Sequence, residues 1–232
     1  MDNLNILITG ITQGLGALLA QHYSKTNLVI GFSRSGDDRY EDNILNLQCD
    51  ISDPDQVKSA VTKIIQKHKR IDVLINNSGI LHTSPFVLTS NQKIKSMISV
   101  NLEGLIYTSK EVFRHMLKNR YGRIINITSM ATNLLLDGDS VYAATKAGVQ
   151  AFGKVLNREG HQFGITVNNI GITAMEGTGM LGQILKKNPK SIKKLIPHGN
   201  YAELSSIISM IDFLASRGNS DVGGQTFFFG GI

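Results

Sequence analysis

The sequence predicts an α/β fold, in which a doubly wound, seven-stranded parallel sheet carries helices on both faces. One observation predicts the fold and another predicts that it forms a single domain. Short apolar runs alternate with longer helical patterns along the 232 residues, which is typical of parallel strands joined by crossover helices. No stretch resembles a linker, so residues 1–232 are expected to form a single domain.

Seven short apolar runs are the strand candidates. In chain order they are Leu4–Thr9, Leu28–Ser33, Ile44–Cys49, Val73–Asn77, Arg123–Thr128, Ile165–Asn169 and Thr226–Phe229. Right-handed crossovers between such strands place helices on both faces of the sheet. The ligand crevice is then expected at the carboxyl ends of the strands.

The longer segments between these runs carry helical patterns. They lie near Gly14–Ser24, Pro54–His68, Thr89–Lys118, Ser140–Glu159 and Tyr201–Ser216. In the second of them Ser52 or Asp53 can cap the helix and Pro54 suits its first turn, while its apolar residues fall on one stripe.

A glycine-rich turn follows the first strand and opens the first helix. It reads Thr9-Gly10-Ile11-Thr12-Gln13-Gly14-Leu15-Gly16. Glycines in this context permit a tight turn and a close approach of the backbone to a pyrophosphate, whose charge faces the helix amino terminus. The turn therefore predicts a dinucleotide site.

Four polar residues downstream suggest acid–base chemistry: Asn101, Ser129, Tyr142 and Lys146. Tyr142 and Lys146 are four apart in a predicted helix, so their side chains leave the same face. A free Tyr has a pKa of about 10, and a nearby positive charge favours the phenolate. The pair could exchange a proton with an alcohol or carbonyl oxygen. Taken alone, it could also be a half-buried Tyr beside a solvated Lys.

The order of these features resembles the short-chain dehydrogenase/reductase family, from the first strand to the last residues. The resemblance implies a Rossmann-like fold and an enzyme that takes hydride from a nicotinamide cofactor. It implies that Tyr142 is the catalytic acid, and that Lys146 lowers the pKa of Tyr142 and binds the nicotinamide ribose. It further implies that Ser129 binds the substrate oxygen and that Asn101 holds a water near Lys146.

The resemblance also implies the contacts of the cofactor. Asp50 resembles the adenine-binding acid, and Asn76-Asn77-Ser78-Gly79 resembles the family's Asn-Asn-Ala-Gly beside the ribose. Ile172-Thr173 stands where the family usually has Pro-Gly, so Thr173 or Thr178 could bind the carboxamide, in a looser loop. The expected contacts are Gly10, Thr12, Gln13, Gly14, Leu15, Gly16, Ser33, Arg34, Asp50, Ile51, Asn77, Ser78, Gly79, Tyr142, Lys146, Thr173 and Met175.

The end of the second strand favours NADP(H) over NAD(H), without excluding NAD(H). NAD-specific members place an acid there, which would repel a 2′-phosphate. Here Ser33-Arg34 follows, and a guanidinium clamps phosphate with paired hydrogen bonds to which Ser33 can add another. In the alternative, Arg34 points to solvent and Asp37 or Asp38 contacts the ribose. Gln13 keeps that alternative open, because many NADP-binding relatives have a basic residue there.

Within the family, the segment from Arg120 to Gly148 most resembles 3-oxoacyl-(acyl carrier protein) reductases. A carrier protein is acidic, so Arg120 and the lysines of the expected substrate lid (about 173–200) would suit it. These lysines are Lys186, Lys187, Lys190, Lys193 and Lys194, which also fit an ordinary solvated loop. Phe163 stands where such reductases often have a second basic contact, which weakens the assignment.

Two other functions remain open from the sequence. One is a reductase or dehydrogenase of a free sugar, steroid or secondary-metabolite ketone. The other is a dinucleotide-binding sensor or scaffold without turnover. A homodimer or homotetramer is expected from the resemblance, paired through Thr89–Lys118 and Ser140–Glu159. The apolar residues Val149, Phe152 and Leu156 lie near that surface, but ordinary packing on the sheet explains them equally well.

Composition limits the remaining classes. With 41% apolar and 18% charged residues, no apolar run near 18 residues and no basic leader, the chain is expected to be cytoplasmic and to make no membrane contact. The net charge of +6 is spread without a nucleic-acid-binding motif, so no nucleic acid is expected. The six His lack ligand-like spacing, so no metal is expected, and Cys49 reads as a core residue.

Overall fold

The computed structural model describes residues 3–175, 181–182 and 192–231. They form an α/β fold around a central sheet with the strand order β3-β4-β2-β1-β5-β6-β7-β8. The strands are β1 (Asn5–Thr9), β2 (Leu28–Ser33), β3 (Arg39–Glu41), β4 (Ile44–Gln48), β5 (Val73–Asn76), β6 (Gly122–Ser129), β7 (Ile165–Ile172) and β8 (Thr226–Phe228). The predicted doubly wound, Rossmann-like architecture is confirmed.

The prediction of seven parallel strands was wrong at one edge. The described residues contain eight strands, and the additional one, β3, runs antiparallel to β4. All three residues of β3 are exposed, so no apolar run marks it in the sequence. Asp42 and Asn43, both with positive φ, make the two-residue turn between β3 and β4, as in the tight turns of antiparallel hairpins.

Helices in the described residues connect these strands. They are α1 (Gly14–Tyr23), α2 (Pro54–His68), α3 (Asn91–Ile98), α4 (Gly104–Asn119), α5 (Ala131–Leu134), α6 (Ser140–Gly160), α7 (Ile192–Leu195) and α8 (Leu204–Ala215). Asp53 caps α2 by accepting hydrogen bonds from the backbone N–H groups of Asp55 and Gln56, as the sequence predicts. None of the helices in the described part of the chain is long and apolar enough to cross a membrane.

The predicted single helix Thr89–Lys118 is interrupted. Ser90 caps α3 through the backbone N–H of Lys93, and a π-helical turn, Ser99–Glu103, joins α3 to α4. A π turn adds a residue to the helical turn and changes the direction of the side chains that follow, an arrangement frequent at functional sites. Here it contains Asn101.

Two apolar layers cover the sheet. On one face, Val57 of α2, Val112 of α4 and Leu156 of α6 belong to one buried cluster. On the other face, Leu19 of α1 and Ile207 of α8 belong to a second cluster. Cys49 lies in the first cluster, and burial, followed by the charges of Asp50 and Asp53, raises the pKa of its thiol to about 12. As expected, it is a core residue.

A buried ladder of polar side chains crosses the sheet from β5 to β8. The Asn76 amide donates to Asn126, the Asn126 amide donates to Asn169, and the Asn169 amide donates to the Thr226 hydroxyl, at 2.9, 3.0 and 3.2 Å. These residues are also register partners in the parallel pairing. The ladder therefore ties the register of these four strands together.

Candidate active site

The residues predicted from the sequence gather at the carboxyl edge of the sheet. Thr9 ends β1 before the glycine turn, Asn76 ends β5 before Asn77, and Ser129 ends β6. Ser129 is paired with Ile172 at the end of β7. Parallel strands end at one edge, so chain segments far apart in sequence meet there.

The N-terminal half of α6 carries Tyr142 and Lys146 at this edge. Both are buried, with 5% and 4% of their surface exposed. The Lys146 Nζ donates a hydrogen bond of 2.9 Å to the carbonyl of Ile127 in β6 and lies 6.0 Å from the centroid of the Tyr142 ring. The predicted placement of the two side chains on one helix face agrees with this geometry.

Ser129 connects β6 to the phenol. Its hydroxyl forms a side-chain hydrogen bond with Tyr142 that favours the phenolate, and its Oγ accepts 3.1 Å from the backbone N–H of Ala131. A hydroxyl held in this way has a fixed orientation. It is therefore placed to bind the same substrate oxygen that the phenol would protonate.

Asn101 joins the π turn to the loop after β5. Its Oδ1 accepts 2.8 Å from the Ile80 N–H, and its Nδ2 donates 2.9 Å to the Ile80 carbonyl. The side chain is fully buried. A Cβ built on Gly79 would lie 3.4 Å from the Lys146 Nζ and 3.5 Å from the Asn101 Oδ1, so these two polar groups converge on the same glycine.

Burial shifts the two titrating groups in opposite directions. It raises the pKa of Tyr142 to about 12, where the Ser129 hydrogen bond lowers it and the charge of Asp139 raises it further. Burial lowers the pKa of Lys146 to about 8. Desolvation of the phenol outweighs its favourable contact with Ser129. Lys146 does not contribute to this shift, so the lowering of the Tyr142 pKa by Lys146 stays a prediction.

Asp139 is an electrostatic neighbour that the sequence did not indicate. It precedes α6 but makes no side-chain capping bond to the helix. Instead its Oδ1 accepts a hydrogen bond of 2.8 Å from the Thr83 hydroxyl, and the Ser84 N–H donates to the Gly138 carbonyl at 3.1 Å. The loop after β5 is thereby held against the start of the catalytic helix.

The glycine turn has the shape that a bound pyrophosphate requires. Gly10 and Gly14 have φ of +75° and +56°. A Cβ on Gly16 would lie 2.1 Å from the Gly10 carbonyl oxygen, so only glycine fits there. The first turn of α1 has no acidic residue, and Gln13 makes no side-chain capping bond. The turn therefore fits a dinucleotide.

Asn77 and Thr9 stabilise this turn from the neighbouring strand. The Asn77 Nδ2 donates to the carbonyls of Thr9 and Gly10 at 3.0 and 3.2 Å. The Thr9 Oγ1 accepts from the N–H groups of Asn77 and Ser78, both at 3.0 Å. A Cβ on Gly10 would be 2.9 Å from the Ser78 Oγ, so Ser78 directly borders the turn.

The end of β2 presents Arg34 to solvent but not a free Ser33 hydroxyl. Arg34 is exposed, whereas Ser33 is buried and donates 2.8 Å to the Asn46 Oδ1. The proton of Ser33 is thus already used within the fold, and the expected second hydrogen bond to a 2′-phosphate is not supported.

Asp37 and Asp38, the acids that could contact the ribose if Arg34 pointed to solvent, make other contacts in the structure. Asp37 accepts from the Arg39 N–H at 3.2 Å. Asp38 accepts from the Gln48 N–H at 2.9 Å and lies 3.7 Å from the Lys63 ammonium.

Asp50 follows β4, close to the predicted adenine position. Its Oδ1 accepts from the N–H and hydroxyl of Ser52 at 3.0 and 2.7 Å. The next residue, Ile51, is buried, and a Cβ on Gly104 would lie 2.8 Å from its Cγ1. Asp50 and Ile51 therefore sit in a fixed turn at the carboxyl edge.

The segment without Pro-Gly is fixed where the structure describes it. β7 continues to Ile172, whose carbonyl accepts from the Met130 N–H at 3.1 Å. The Thr173 hydroxyl donates to the Ala174 carbonyl at 2.9 Å and accepts from the Ala202 N–H at 2.6 Å. A looser loop is not seen at Ile172-Thr173, and the Thr173 hydroxyl already has two partners.

The rest of the predicted lid is only partly described. Met175 is buried in the core on the α1 and α8 face. Thr178, Lys186, Lys187 and Lys190 lie outside the described residues. Of the lysine cluster, Lys193 and Lys194 are described and exposed, and the Lys193 ammonium lies 4.8 Å above the Tyr201 ring.

Arg120 lies at the opposite edge of the sheet. It precedes β6, which then extends eight residues to Ser129, or roughly 23 Å. Its guanidinium lies 5.7 Å over the Phe163 ring and donates 3.3 Å to the Gln162 carbonyl. Within one chain, Arg120 is therefore not part of the catalytic edge.

Comparison with known proteins agrees with this geometry. A family model described as short chain dehydrogenase matches residues 4–189. A 3-oxoacyl-[acyl-carrier-protein] reductase FabG of Buchnera aphidicola subsp. Schizaphis graminum is 35% identical over 100% of this chain and 97% of its own length. The Escherichia coli enzyme of the same name is 31% identical over 97% of this chain and 95% of its own length.

Solved structures are also similar. ElxO with NADP bound has a TM-score of 0.89 and 28% sequence identity, covering 97% of this chain and 96% of that chain. A Tyr-to-Phe variant of ElxO with NADPH bound has a TM-score of 0.88 and 27% identity over the same shares. A ligand-free aldohexose dehydrogenase of Thermoplasma acidophilum, at 24% identity, has a TM-score of 0.87 over 98% of this chain and 92% of that chain, and supports the fold alone.

Proposed function

Because the chain belongs to the short-chain dehydrogenase/reductase family, we propose that it is an NADP(H)-dependent reductase that converts a ketone into a secondary alcohol. Membership of the family makes it an NAD(P)-dependent oxidoreductase acting on CH–OH and C=O groups. The observation that carries the proposal is the Ser129–Tyr142 hydrogen bond beside the buried Lys146 at the carboxyl edge.

The catalytic roles follow from this arrangement. Ser129 and Tyr142 bind the substrate oxygen together, and Tyr142 donates its proton to that oxygen as negative charge develops there. A phenol with a pKa of about 12 is protonated at neutral pH, as an acid in the reducing direction must be. The bound nicotinamide supplies the hydride, which no side chain can provide.

Lys146 and Asn101 would complete the site. The Lys146 ammonium has three donors, of which one is used by the Ile127 carbonyl, so it can also bind the hydroxyls of a ribose. Asn101 holds Ile80 and, through the π turn, borders the same space beside Gly79. We assign to this pair the return of a proton to Tyr142 after each turnover.

The cofactor would lie across the carboxyl edge. The turn from Gly10 to Gly16 would hold the pyrophosphate, Asp50 and Ile51 the adenine, and Asn77 to Gly79 the ribose. Exposed Arg34, with no acid at the end of β2, favours a 2′-phosphate and hence NADP(H). The ElxO structures, with NADP and NADPH bound, support the same choice.

The substrate class is proposed from the relatives. The curated relatives at 31–35% identity given above are 3-oxoacyl-[acyl-carrier-protein] reductases, so the favoured substrate is a 3-oxoacyl thioester on a carrier protein. A free ketone is the second candidate. It is supported by Phe163, which stands where reductases of carrier-linked substrates often have a second basic contact. Here the Phe163 ring instead lies beneath the guanidinium of Arg120.

The test measures NADPH oxidation by the purified full chain with a panel of 3-oxoacyl thioesters, carrier-linked and free, and of sugar and steroid ketones. Turnover of any of them supports a reductase, and a preference for the carrier-linked thioester supports the favoured substrate. NADPH binding without oxidation across the panel would instead indicate a dinucleotide-binding protein without turnover.

A further inference from the structure

A cleft opens at the amino edge of the sheet, opposite the catalytic site. It has a volume of about 320 Å³, at the small end of the range for ligand pockets. Lys69 and Arg70 after α2, Asp72 before β5, and Tyr121 before β6 line it. Arg217, which follows α8, lines it from the other layer of the fold.

Two guanidinium groups lie near the Tyr121 ring. The Cζ of Arg217 is 4.1 Å and the Cζ of Arg123 is 4.7 Å from the ring centroid. Arg123 is 2% exposed and donates to the carbonyls of Gly122, Gly164 and Ser216. Burial lowers its pKa, and the charge of Arg217 lowers it further.

The charges around the cleft do not cancel. Among the residues that the structure describes, Asp72 is the one carboxylate lining it, and its Oδ2 already accepts from Arg70 at 3.0 Å and from the Asn5 N–H at 2.9 Å. The ends of α2 and α4 add about one further negative charge between them. Four cations, Lys69, Arg70, Arg123 and Arg217, therefore leave about two positive charges uncompensated.

We propose that this cleft binds a phosphate group, either free or carried by a small molecule. Arg217 is exposed and forms no ion pair within the described part of the chain, so its guanidinium fork is available for paired hydrogen bonds to phosphate oxygens. Lys69 adds an ammonium at the rim, where its Nζ donates one hydrogen bond of 3.0 Å to the Gln66 carbonyl, and buried Arg123 adds positive potential from behind. Because the cations surround a concave space, a small anion fits better than a nucleic acid backbone.

The experiment is a calorimetric titration of the full chain with inorganic phosphate and with glucose 6-phosphate, each with and without saturating NADP⁺. Binding that persists when the cofactor is present belongs to the cleft rather than to the glycine turn. Arg217→Gln is expected to weaken this binding at least ~10-fold, and Lys69→Gln severalfold. A matched control, Lys58→Gln on the exposed face of α2, should change it less than ~2-fold.

The two probes separate the sources of the phosphate. Equal affinities identify the free ion as sufficient, and tighter binding of glucose 6-phosphate identifies a phosphorylated small molecule. Absence of binding by either probe up to ~10 mM would overturn the proposal, as would equal losses in Arg217→Gln and Lys58→Gln. Binding of a short RNA duplex without binding of either phosphate would also overturn it.

Discussion

At the residue scale, burial of Lys146 at the carboxyl edge of the sheet disfavours its charged form. The fold places the Lys146 ammonium in a site where its pKa falls to about 8 from the usual 10.5. The unfolded chain then binds more protons than the folded one between about pH 8 and 10.5. The contribution of Lys146 to the free energy of unfolding is therefore most unfavourable below pH 8, and this penalty shrinks as the pH rises through the interval.

Lys146→Met should consequently separate stability from function. Removal of the buried charge is expected to raise the free energy of unfolding at pH 7 by about 2 kcal/mol, the desolvation cost reduced by the lost bond to Ile127. Turnover should fall at least ~100-fold and NADPH binding should weaken, because the same ammonium serves both. Urea unfolding at pH 7 and 10 checks this, with the gain shrinking at pH 10. A less stable variant at pH 7 would contradict the account.

Arg34 should determine the choice of cofactor. Arg34→Ala is expected to raise the KM for NADPH at least ~10-fold and to leave the KM for NADH within about twofold, since only NADPH carries the 2′-phosphate. Arg39→Ala, which removes a nearby exposed guanidinium, is the control. A parent enzyme that already prefers NADH would show that Arg34 does not have this role.

The chemistry of individual residues was the most predictable part of the site. The spacing of Tyr142 and Lys146 suggested a pair on one helix face, and the resemblance to the family added Ser129 and Asn101. The fold brings all four to one edge. The contact between Thr83 and Asp139 could not be predicted, because it joins loops separated by 56 residues. The hydrogen bond from Ser33 could not be predicted either, because its acceptor, Asn46, lies on the neighbouring strand β4.

At the element scale, apolar periodicity located the buried strands and most helices but not their interruptions. β3 has no apolar run because all of it is exposed. The π turn at Ser99–Glu103 contains no Gly or Pro and continues the helical backbone from α3 into α4. One helix was therefore predicted where α3 and α4 are joined by a turn that carries Asn101. Both features depend on contacts with other parts of the chain.

The polar ladder across β5 to β8 should be a large source of stability. Asn126→Ala would leave the Asn169 oxygen and one N–H of the Asn76 amide without partners in the core, while the other Asn76 N–H stays bonded to the Ser109 hydroxyl. The expected cost is about 2–4 kcal/mol in the free energy of unfolding. Asn91→Ala, at the exposed start of α3, should change it by less than ~0.5 kcal/mol. Denaturant unfolding compares the two, and similar values would show that the ladder contributes little.

At the scale of the whole molecule, we expect two copies of the chain to pair through α6. Val149 and Leu156, expected near a pairing surface, are buried against the sheet, and Phe152 packs beside them. The exposed face of α6 carries another set of small and apolar residues: Ala144, Ala147, Ala151 and Val155. Val155 is 57% exposed. The apolar periodicity of α6 could be seen in the sequence, but the sequence did not show which face of the helix packs on the sheet.

A homo-oligomer should therefore form through this face. Light scattering is expected to give a multiple of 25.4 kDa at micromolar concentration, and Val155→Glu should shift the mass toward that of one chain. Thr62→Glu at an exposed position of α2 introduces the same charge elsewhere and should leave the mass unchanged. A parent protein of 25.4 kDa under these conditions would contradict the prediction.

The central claim is that Tyr142 protonates the substrate oxygen, and Tyr142→Phe tests it most directly. The change removes one hydroxyl from a buried ring and leaves the glycine turn, Arg34 and Lys146 in place. NADPH-dependent turnover of the best substrate of the panel should fall at least ~100-fold, while the Kd for NADPH, measured by fluorescence, stays within about threefold. Turnover within about threefold of the parent enzyme would contradict the account.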